Sequence, residues 1–117
     1  MIKLIFIRHT TTDWNEQKRY LGVTDVSLNQ KGRKQAELIS NYLRNKNITA
    51  IYSSNLKRAY QTAAIIAKPH SFYPVRDSEN TEKTQKKYIS NGVKVKKDER
   101  LDEIDFGEWE GMTFNQI

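Results

Sequence analysis

The sequence predicts an α/β fold with a mostly parallel sheet covered by helices, and three observations support this prediction. Residues 2–7 form an almost unbroken apolar run, Ile-Lys-Leu-Ile-Phe-Ile, as in a strand buried on both faces. Residues 48–53 form a second short run that suits a strand. A segment with apolar residues at helical spacing follows each run, and such an alternation of strand and helix is typical of a parallel sheet.

Composition limits the class of protein. The 117 residues suffice for one domain with a buried core, so residues 1–117 are interpreted as a single domain. The chain has no cysteine, which excludes disulfides, thiol catalysis and cysteine-ligated zinc. The N-terminal apolar run is too short for a membrane span and lacks a cleavage-site pattern, so the expected location is cytoplasmic. A net charge of +6 favours an anionic partner.

The first predicted strand ends at Arg8 and His9, and polar residues that include Thr12 and Asn15 follow it. Ligands of open α/β sheets bind just beyond the carboxyl ends of the strands. A guanidinium group matches phosphate oxygens, Asn and Thr add neutral hydrogen bonds, and a neutral imidazole can attack phosphorus. These residues are therefore candidates for a phosphate site, although an isolated Arg-His pair is also compatible with a strand that ends in solvent.

A helix is predicted over residues 30–44, after a loop at 16–28 that would lie near the same site. Apolar residues recur there at three- and four-residue spacing, namely Ala36, Ile39, Tyr42 and Leu43. Either Ser27 or Asn29 could cap this helix. We expect the helix to have a structural role.

A second helix is predicted after the second strand, from residue 56 until Pro69 interrupts it. Arg58 falls in the first turn, where free backbone N–H groups and the helix dipole also favour an anion. This strand-to-helix junction should open on the same crevice as Arg8 and His9. Taken alone, Arg58 could equally be a solvated surface residue.

The region at about 70–97 is poor in apolar residues and rich in lysine, and it is interpreted as a basic loop or insertion with one short strand near 93–95. A nucleic-acid surface would need aromatic side chains among the basic ones, and only Tyr88 qualifies. We therefore expect neither a nucleic-acid partner nor a membrane partner. His70 is interpreted as a loop residue.

The C-terminal stretch combines acidic and aromatic residues around Gly107 and Gly111. Asp102, Glu103 and Asp105 are close enough in sequence to suggest a site for a hard metal ion. A solvated acidic loop suits the composition better, so no metal is expected there.

Three separated segments, taken together and in this order, resemble the motifs of the histidine phosphatase superfamily, the phosphoglycerate mutase-like proteins. The first motif is Arg8-His9-x-x-Thr12-x-x-Asn15, with Leu21-Gly22 in the loop after it. The second is the stretch 53–63, Ser-Ser-Asn-Leu-Lys-Arg-Ala-Tyr-Gln-Thr-Ala. The third is the stretch 101–111, which contains Glu103 followed by Phe-Gly-Glu-Trp-Glu-Gly.

This resemblance implies a three-layer α/β/α domain that acts as a phosphomonoester hydrolase. His9 would be the nucleophile that forms a phosphohistidine, and Glu103 the general acid that protonates the leaving oxygen. Arg8 and Arg58 would clamp the phosphoryl oxygens. The substrate would be a small phosphorylated metabolite, with further contacts from Thr10, Thr12, Asn15, Leu21 and Gly22. No metal or other cofactor is implied.

Two departures from the family pattern affect these expectations. Thr10 replaces a usual glycine, and its side chain would either crowd the phosphate or contribute a hydroxyl. The family's second catalytic histidine has no counterpart, since His70 lies in no matching motif. The resemblance therefore implies a domain without its C-terminal part. We expect the 117-residue chain alone to be weakly active or inactive, and marginally stable or associated into homo-oligomers through an uncovered sheet edge.

Within the family, a phosphatase is favoured over a mutase. Residues 104–106, Ile-Asp-Phe, stand where mutases typically carry basic residues and a tyrosine. This part of the sequence looks more like the broad-specificity or α-ribazole-type phosphatases. The alternatives are a phosphoglycerate mutase-type isomerase and a non-catalytic fragment or pseudoenzyme that binds phosphorylated ligands.

Overall fold

The computed structural model describes residues 2–74, 86–88 and 93–116. In this part of the chain the α-helices are α1 (Asp13–Glu16), α2 (Gln30–Leu43) and α3 (Lys57–Ala67). The strands are β1 (Ile51–Ser53), β2 (Phe72–Pro74), β3 (Lys86–Tyr88) and β4 (Val95–Lys97). Short 3-10 turns occupy residues 68–71, 99–101, 107–109 and 114–116.

The sheet is built from a parallel pair, β1 with β4, in which Tyr52 lies opposite Lys96. Helix α3 follows β1 in the sequence and packs against both strands and against α2. This arrangement confirms the predicted parallel α/β unit. Strands β2 and β3 form a separate antiparallel pair. The region interpreted as a basic loop or insertion contains β2, β3 and β4, and its predicted short strand near 93–95 is found two residues later, at 95–97, where it pairs with β1. Residues 75–85 and 89–92 of that region lie outside the described residues.

Helices α2 and α3 confirm the predicted positions to within one residue. Asn29 caps α2, because its side-chain oxygen accepts a hydrogen bond from the Gly32 backbone N–H at 2.9 Å. Helix α3 ends at Ala67, just before the turn that contains Pro69. The two helices share a core of small and aliphatic side chains: Ala36, Leu43, Ala63, Ile66 and Ala67.

The N-terminal run differs from its prediction, because residues 2–7 are not in a strand. No described strand pairs with them, and their side chains stay exposed, Phe6 to 88%. A strand needs a neighbour to satisfy its backbone N–H and C=O groups. Apolar character alone does not supply that neighbour.

The short helix α1 was not predicted, because four residues are too few to show a helical period. Thr12 caps it in a reciprocal arrangement with Asn15, which lies three residues later. Neither α1 nor any other helix in the described ranges has both the length and the apolar character that crossing a membrane requires. The main effect of α1 is to hold the chain just beyond His9 in a compact turn.

Candidate active site

A cleft of about 800 Å³ lies where the N-terminal segment, helix α2 and the C-terminal stretch meet. Its walls include six residues predicted to act on a substrate: Arg8, His9, Thr10, Asn15, Leu21 and Glu103. Residues from three distant parts of the sequence therefore share one open space. The other predicted residues, Thr12, Gly22 and Arg58, lie outside its wall.

His9 is half-buried on the cleft wall, and its ring orientation is defined by one contact. The Nδ1 atom lies 2.7 Å from the Thr10 carbonyl oxygen. Because a carbonyl can only accept, Nδ1 carries the proton in this contact and Nε2 of the neutral ring keeps its lone pair. Burial lowers the pKa of His9, and Arg58 and Arg8 lower it further, whereas the Thr10 contact and Glu103 raise it. The neutral, nucleophilic form is therefore favoured.

Thr10 is buried and directed toward helix α3. Its backbone N–H donates to Thr62 Oγ1 at 3.1 Å, and the two hydroxyl oxygens are 3.3 Å apart. Thr62 uses its own hydroxyl proton on the Arg58 carbonyl oxygen at 2.7 Å, so Thr10 is the donor between the hydroxyls. The side chain that replaces the expected glycine is thus satisfied within the protein.

Arg58 is the most deeply enclosed charge of the site, with an exposed fraction of 1%, so its alternative interpretation as a solvated surface residue is wrong. Its Nη1 donates to the Thr24 carbonyl oxygen at 2.8 Å and its Nη2 donates to the Gly22 carbonyl oxygen. Burial lowers the pKa of Arg58. The neighbouring carboxylates raise it, and among them Glu103 has the largest effect. Arg58 therefore stands behind the cleft wall as a fixed positive charge near His9.

Thr12 has a structural role, whereas Asn15 lines the cleft. Thr12 is completely buried, and its N–H and hydroxyl both donate to Asn15 Oδ1 at 2.9 Å. The predicted direct contact of Thr12 with a substrate does not fit this position. Both bonds engage Oδ1, so the Nδ2 amide group is the part of Asn15 that suits a phosphate oxygen.

Glu103 reaches the cleft because both of its neighbours are anchored. The Asp102 carboxylate accepts a hydrogen bond from the Asn55 backbone N–H at 2.9 Å, at the junction of β1 and α3. On the other side, Ile104 packs closely against Gly22. A Cβ atom added to Gly22 would lie 2.1 Å from the Ile104 carbonyl oxygen. Gly22 therefore acts on the site by permitting this contact.

The predicted acidic loop does not form a metal centre in the part of the chain that the structure describes. No three His, Asp or Glu side chains in residues 2–74, 86–88 and 93–116 are grouped so that they could hold a metal ion. The acidic side chains serve other purposes there. Asp102 receives the Asn55 N–H, and Glu103 faces the cleft.

Several cleft residues were not identified from the sequence. Gln35 of helix α2, which was expected to be structural only, accepts hydrogen bonds from the Thr11 N–H at 3.1 Å and hydroxyl at 2.7 Å. Lys18 and Arg19 add positive charge to the wall. The available signal for Gln35 was its position four residues before Ile39, on the same side of the helix.

Comparisons with known proteins agree with this geometry. The profile of the histidine phosphatase superfamily (branch 1) matches residues 4–84 and 77–117. The chain is 35% identical over 117 residues to phosphoserine phosphatase 1 of Hydrogenobacter thermophilus, which covers 100% of this chain and 46% of that protein. It is 34% identical over 115 residues to glucosyl-3-phosphoglycerate phosphatase of Mycobacterium tuberculosis, covering 98% of this chain and 42% of that protein.

A solved structure supports the same assignment. The mycobacterial glucosyl-3-phosphoglycerate phosphatase complexed with VO3 matches with a TM-score of 0.71 at 31% identity, covering 93% of this chain and 42% of that chain. This likeness confirms the predicted phosphoglycerate mutase-like α/β fold. The chain spans less than half the length of the relatives that it matches. From its motifs, its cleft and these matches, we conclude that the chain belongs to the histidine phosphatase superfamily.

Proposed function

We propose that this chain carries the phosphoryl-transfer centre of a phosphomonoester hydrolase. The observation that carries the proposal is the placement of His9, whose Nδ1 is engaged by the Thr10 carbonyl while its ring lines a cleft shared with Glu103. Arg8, Lys18 and Arg19 on the same wall favour an anionic ligand.

The reaction would take place in two steps, transfer of the phosphoryl group to His9 and hydrolysis of the phosphohistidine. In the first, the Nε2 lone pair of His9 attacks phosphorus, the P–O ester bond breaks, and Glu103 gives its proton to the leaving oxygen. In the second, water attacks the phosphohistidine, the P–N bond breaks, and the Glu103 carboxylate takes a proton from the water. Arg8, together with the enclosed charge of Arg58, would stabilise the negative charge on the phosphoryl oxygens.

The substrate class follows from the same features. An open cleft with three basic side chains and aromatic residues on its wall suits a phosphomonoester of a small metabolite. The relatives described above are named for phosphoserine and glucosyl-3-phosphoglycerate. A small phosphorylated metabolite is therefore the proposed substrate of the whole protein.

The test is to trap the intermediate in protein expressed from its complete gene. Wild-type protein mixed briefly with a 32P-labelled phosphomonoester should carry acid-labile, base-stable label, and His9→Ala should carry none. Glu103→Gln should lower hydrolysis by at least about a hundredfold for an alkyl phosphate, because loss of a general acid costs about 10² to 10⁴ in rate. A His9→Ala protein that still acquires the label would contradict the proposal.

The same protein separates the alternatives. Incubation with monophosphoglycerate and bisphosphoglycerate should release inorganic phosphate if the protein is a hydrolase. Isomerisation without phosphate release would identify a mutase instead. A protein that binds phosphate in the cleft but never acquires label at His9 would be a non-catalytic binding protein.

A further inference from the structure

Glu110 is a carboxylate outside the cleft wall that receives three hydrogen bonds from one loop. Its Oε1 accepts from the Gly22 N–H at 3.3 Å, the Thr24 N–H at 2.7 Å and the Thr24 hydroxyl at 2.7 Å. Because the acceptor is charged, the two 2.7 Å bonds from Thr24 belong to the stronger kind in proteins. The loop of residues 22–24 is therefore anchored to the C-terminal stretch.

The opposite side of the same loop holds Arg58. The carbonyl oxygens of Gly22 and Thr24 accept the two Nη hydrogen bonds of the guanidinium group. In each of these two residues the N–H thus points to Glu110 and the C=O to Arg58. The N–H and the C=O of one residue belong to adjacent peptide groups, so Glu110 fixes the two residues through their N–H groups and thereby restricts where their carbonyl oxygens lie.

The loop is held from a further direction by helix α3. The Asp25 carboxylate accepts a hydrogen bond from the Lys57 backbone N–H at 2.6 Å, one residue before Arg58.

The direction in which the pKa of Glu110 is shifted agrees with this arrangement. Burial raises the pKa of Glu110. The hydrogen bonds from Thr24 and Gly22 and the interaction with the Asp105 side chain lower it by more, so the pKa of Glu110 lies below its ordinary value. Glu110 is therefore ionised at neutral pH and acts as a counter-charge behind the loop.

We propose that Glu110 is a positioning residue, which acts through the backbone of Gly22 and Thr24 to hold the Arg58 guanidinium where it supports phosphoryl transfer. This inference rests on the proposed function. It assigns no contact between Glu110 and the substrate. Its physical basis is that an enclosed guanidinium can be held only by fixed acceptors, and these two carbonyls are fixed by Glu110.

The test compares Glu110→Ala with Glu110→Gln in protein expressed from its complete gene. Glu110→Ala should lower kcat/KM for p-nitrophenyl phosphate by about tenfold to a hundredfold and weaken inhibition by inorganic phosphate, since a displacement of about 1 Å at a reacting centre has that effect. Glu110→Gln should keep most of the wild-type kcat/KM and most of the inhibition by inorganic phosphate, because its amide oxygen still accepts from Thr24 and its amide nitrogen can donate to Asp105. Glu108→Ala, an exposed carboxylate in the preceding turn, should match wild type.

A second readout does not depend on activity. The Arg58 guanidinium protons, identified by their loss in Arg58→Lys, should exchange slowly with solvent in wild type and faster in Glu110→Ala. If wild type forms no phosphoenzyme, the proposed function fails and this exchange alone decides the positioning role. Unchanged exchange and an unchanged kcat/KM per folded molecule in Glu110→Ala would overturn the inference, as would a loss that Glu110→Gln does not restore.

Discussion

At the scale of the residue, the site depends on a sequence of short polar contacts from α3 to the His9 ring. Thr62 holds the backbone and hydroxyl of Thr10, and the Thr10 carbonyl holds Nδ1 of His9. Each contact places one atom of the next residue. The orientation of the nucleophile is thus set by side chains and backbone that are themselves buried.

The electrostatic part of this arrangement predicts how His9 titrates. Burial and the neighbouring arginines hold the pKa of His9 below its ordinary value of 6.5. Removing the exposed charge in Arg8→Gln should raise that pKa, which NMR titration of the His9 ring would measure. Arg33→Gln, an exposed change on α2, should leave it unchanged, and a downward shift in Arg8→Gln would contradict the prediction.

The same shift has a consequence for stability. Because the folded pKa of His9 lies below the unfolded value, the unfolded chain binds more protons between the two pKa values. The stability contributed by His9 should be fully present above pH 6.5 and be lost as the pH falls through the folded pKa. A His9→Gln variant, compared with wild type in urea unfolding across this range, should show the weaker pH dependence. Equal pH dependence in the two proteins would contradict this.

Thr62 offers a test of the buried contacts. Thr62→Val keeps the shape but leaves the Thr10 N–H and the Thr10 hydroxyl without the Thr62 oxygen. The expected loss is about 1–3 kcal/mol of unfolding free energy, measured by urea denaturation, because unsatisfied buried groups cost about that much. Thr62→Ser retains the hydroxyl and should lose less; a Thr62→Val protein as stable as wild type would contradict the prediction.

At the scale of the element, the start of helix α2 is shaped by its contact with the polar segment after His9. A Cβ atom on Gly32 would lie 2.0 Å from the Thr11 carbonyl oxygen and 2.9 Å from its nitrogen. Gln35, one turn later, accepts two hydrogen bonds from the same residue. The helix therefore holds the site as well as the core.

This contact reverses the usual effect of a helix substitution. Alanine is a better helix former than glycine by about 1 kcal/mol, so Gly32→Ala would stabilise an isolated helix. In the protein the clash with the Thr11 backbone should outweigh that gain and destabilise by about 1–3 kcal/mol. Thermal unfolding would measure this, with Lys34→Ala as the exposed control. A higher melting temperature for Gly32→Ala would show that the contact is absent.

At the scale of the whole molecule, the described chain leaves apolar surface uncovered. Ile2, Leu4, Ile5, Phe6 and Ile7 are exposed by 39–88%, and no described strand pairs with them. A contiguous apolar segment with free backbone groups favours association. The 117-residue chain by itself is therefore expected to form oligomers.

Sedimentation measures this prediction directly. The isolated 117-residue chain should sediment faster as its concentration rises, and Phe6→Lys should reduce the effect. Tyr42→Lys alters an apolar side chain of comparable exposure, 77%, on α2 and should not reduce it. A chain that stays monomeric at every concentration would contradict the expectation.

The sequence alone determined the elements and motifs whose causes are local. The spacing of apolar residues and the position of Pro69 established α2 and α3 nearly to the residue, whereas the structure chose Asn29 over Ser27 as the cap of α2. The motifs identified the cleft residues Arg8, His9 and Glu103 for the same reason, since each motif is a short run of residue types.

Only the tertiary structure decided which side chains are enclosed and which strands find partners. The contact of Glu110 with Gly22 joins residues 88 positions apart, and no local pattern encodes it. Arg58 is buried because the loop of residues 22–24 supplies its acceptors, whereas its sequence context suited a surface residue equally well. The run at residues 2–7 has the composition of a strand but stays unpaired, because strand formation depends on a neighbour that composition does not specify.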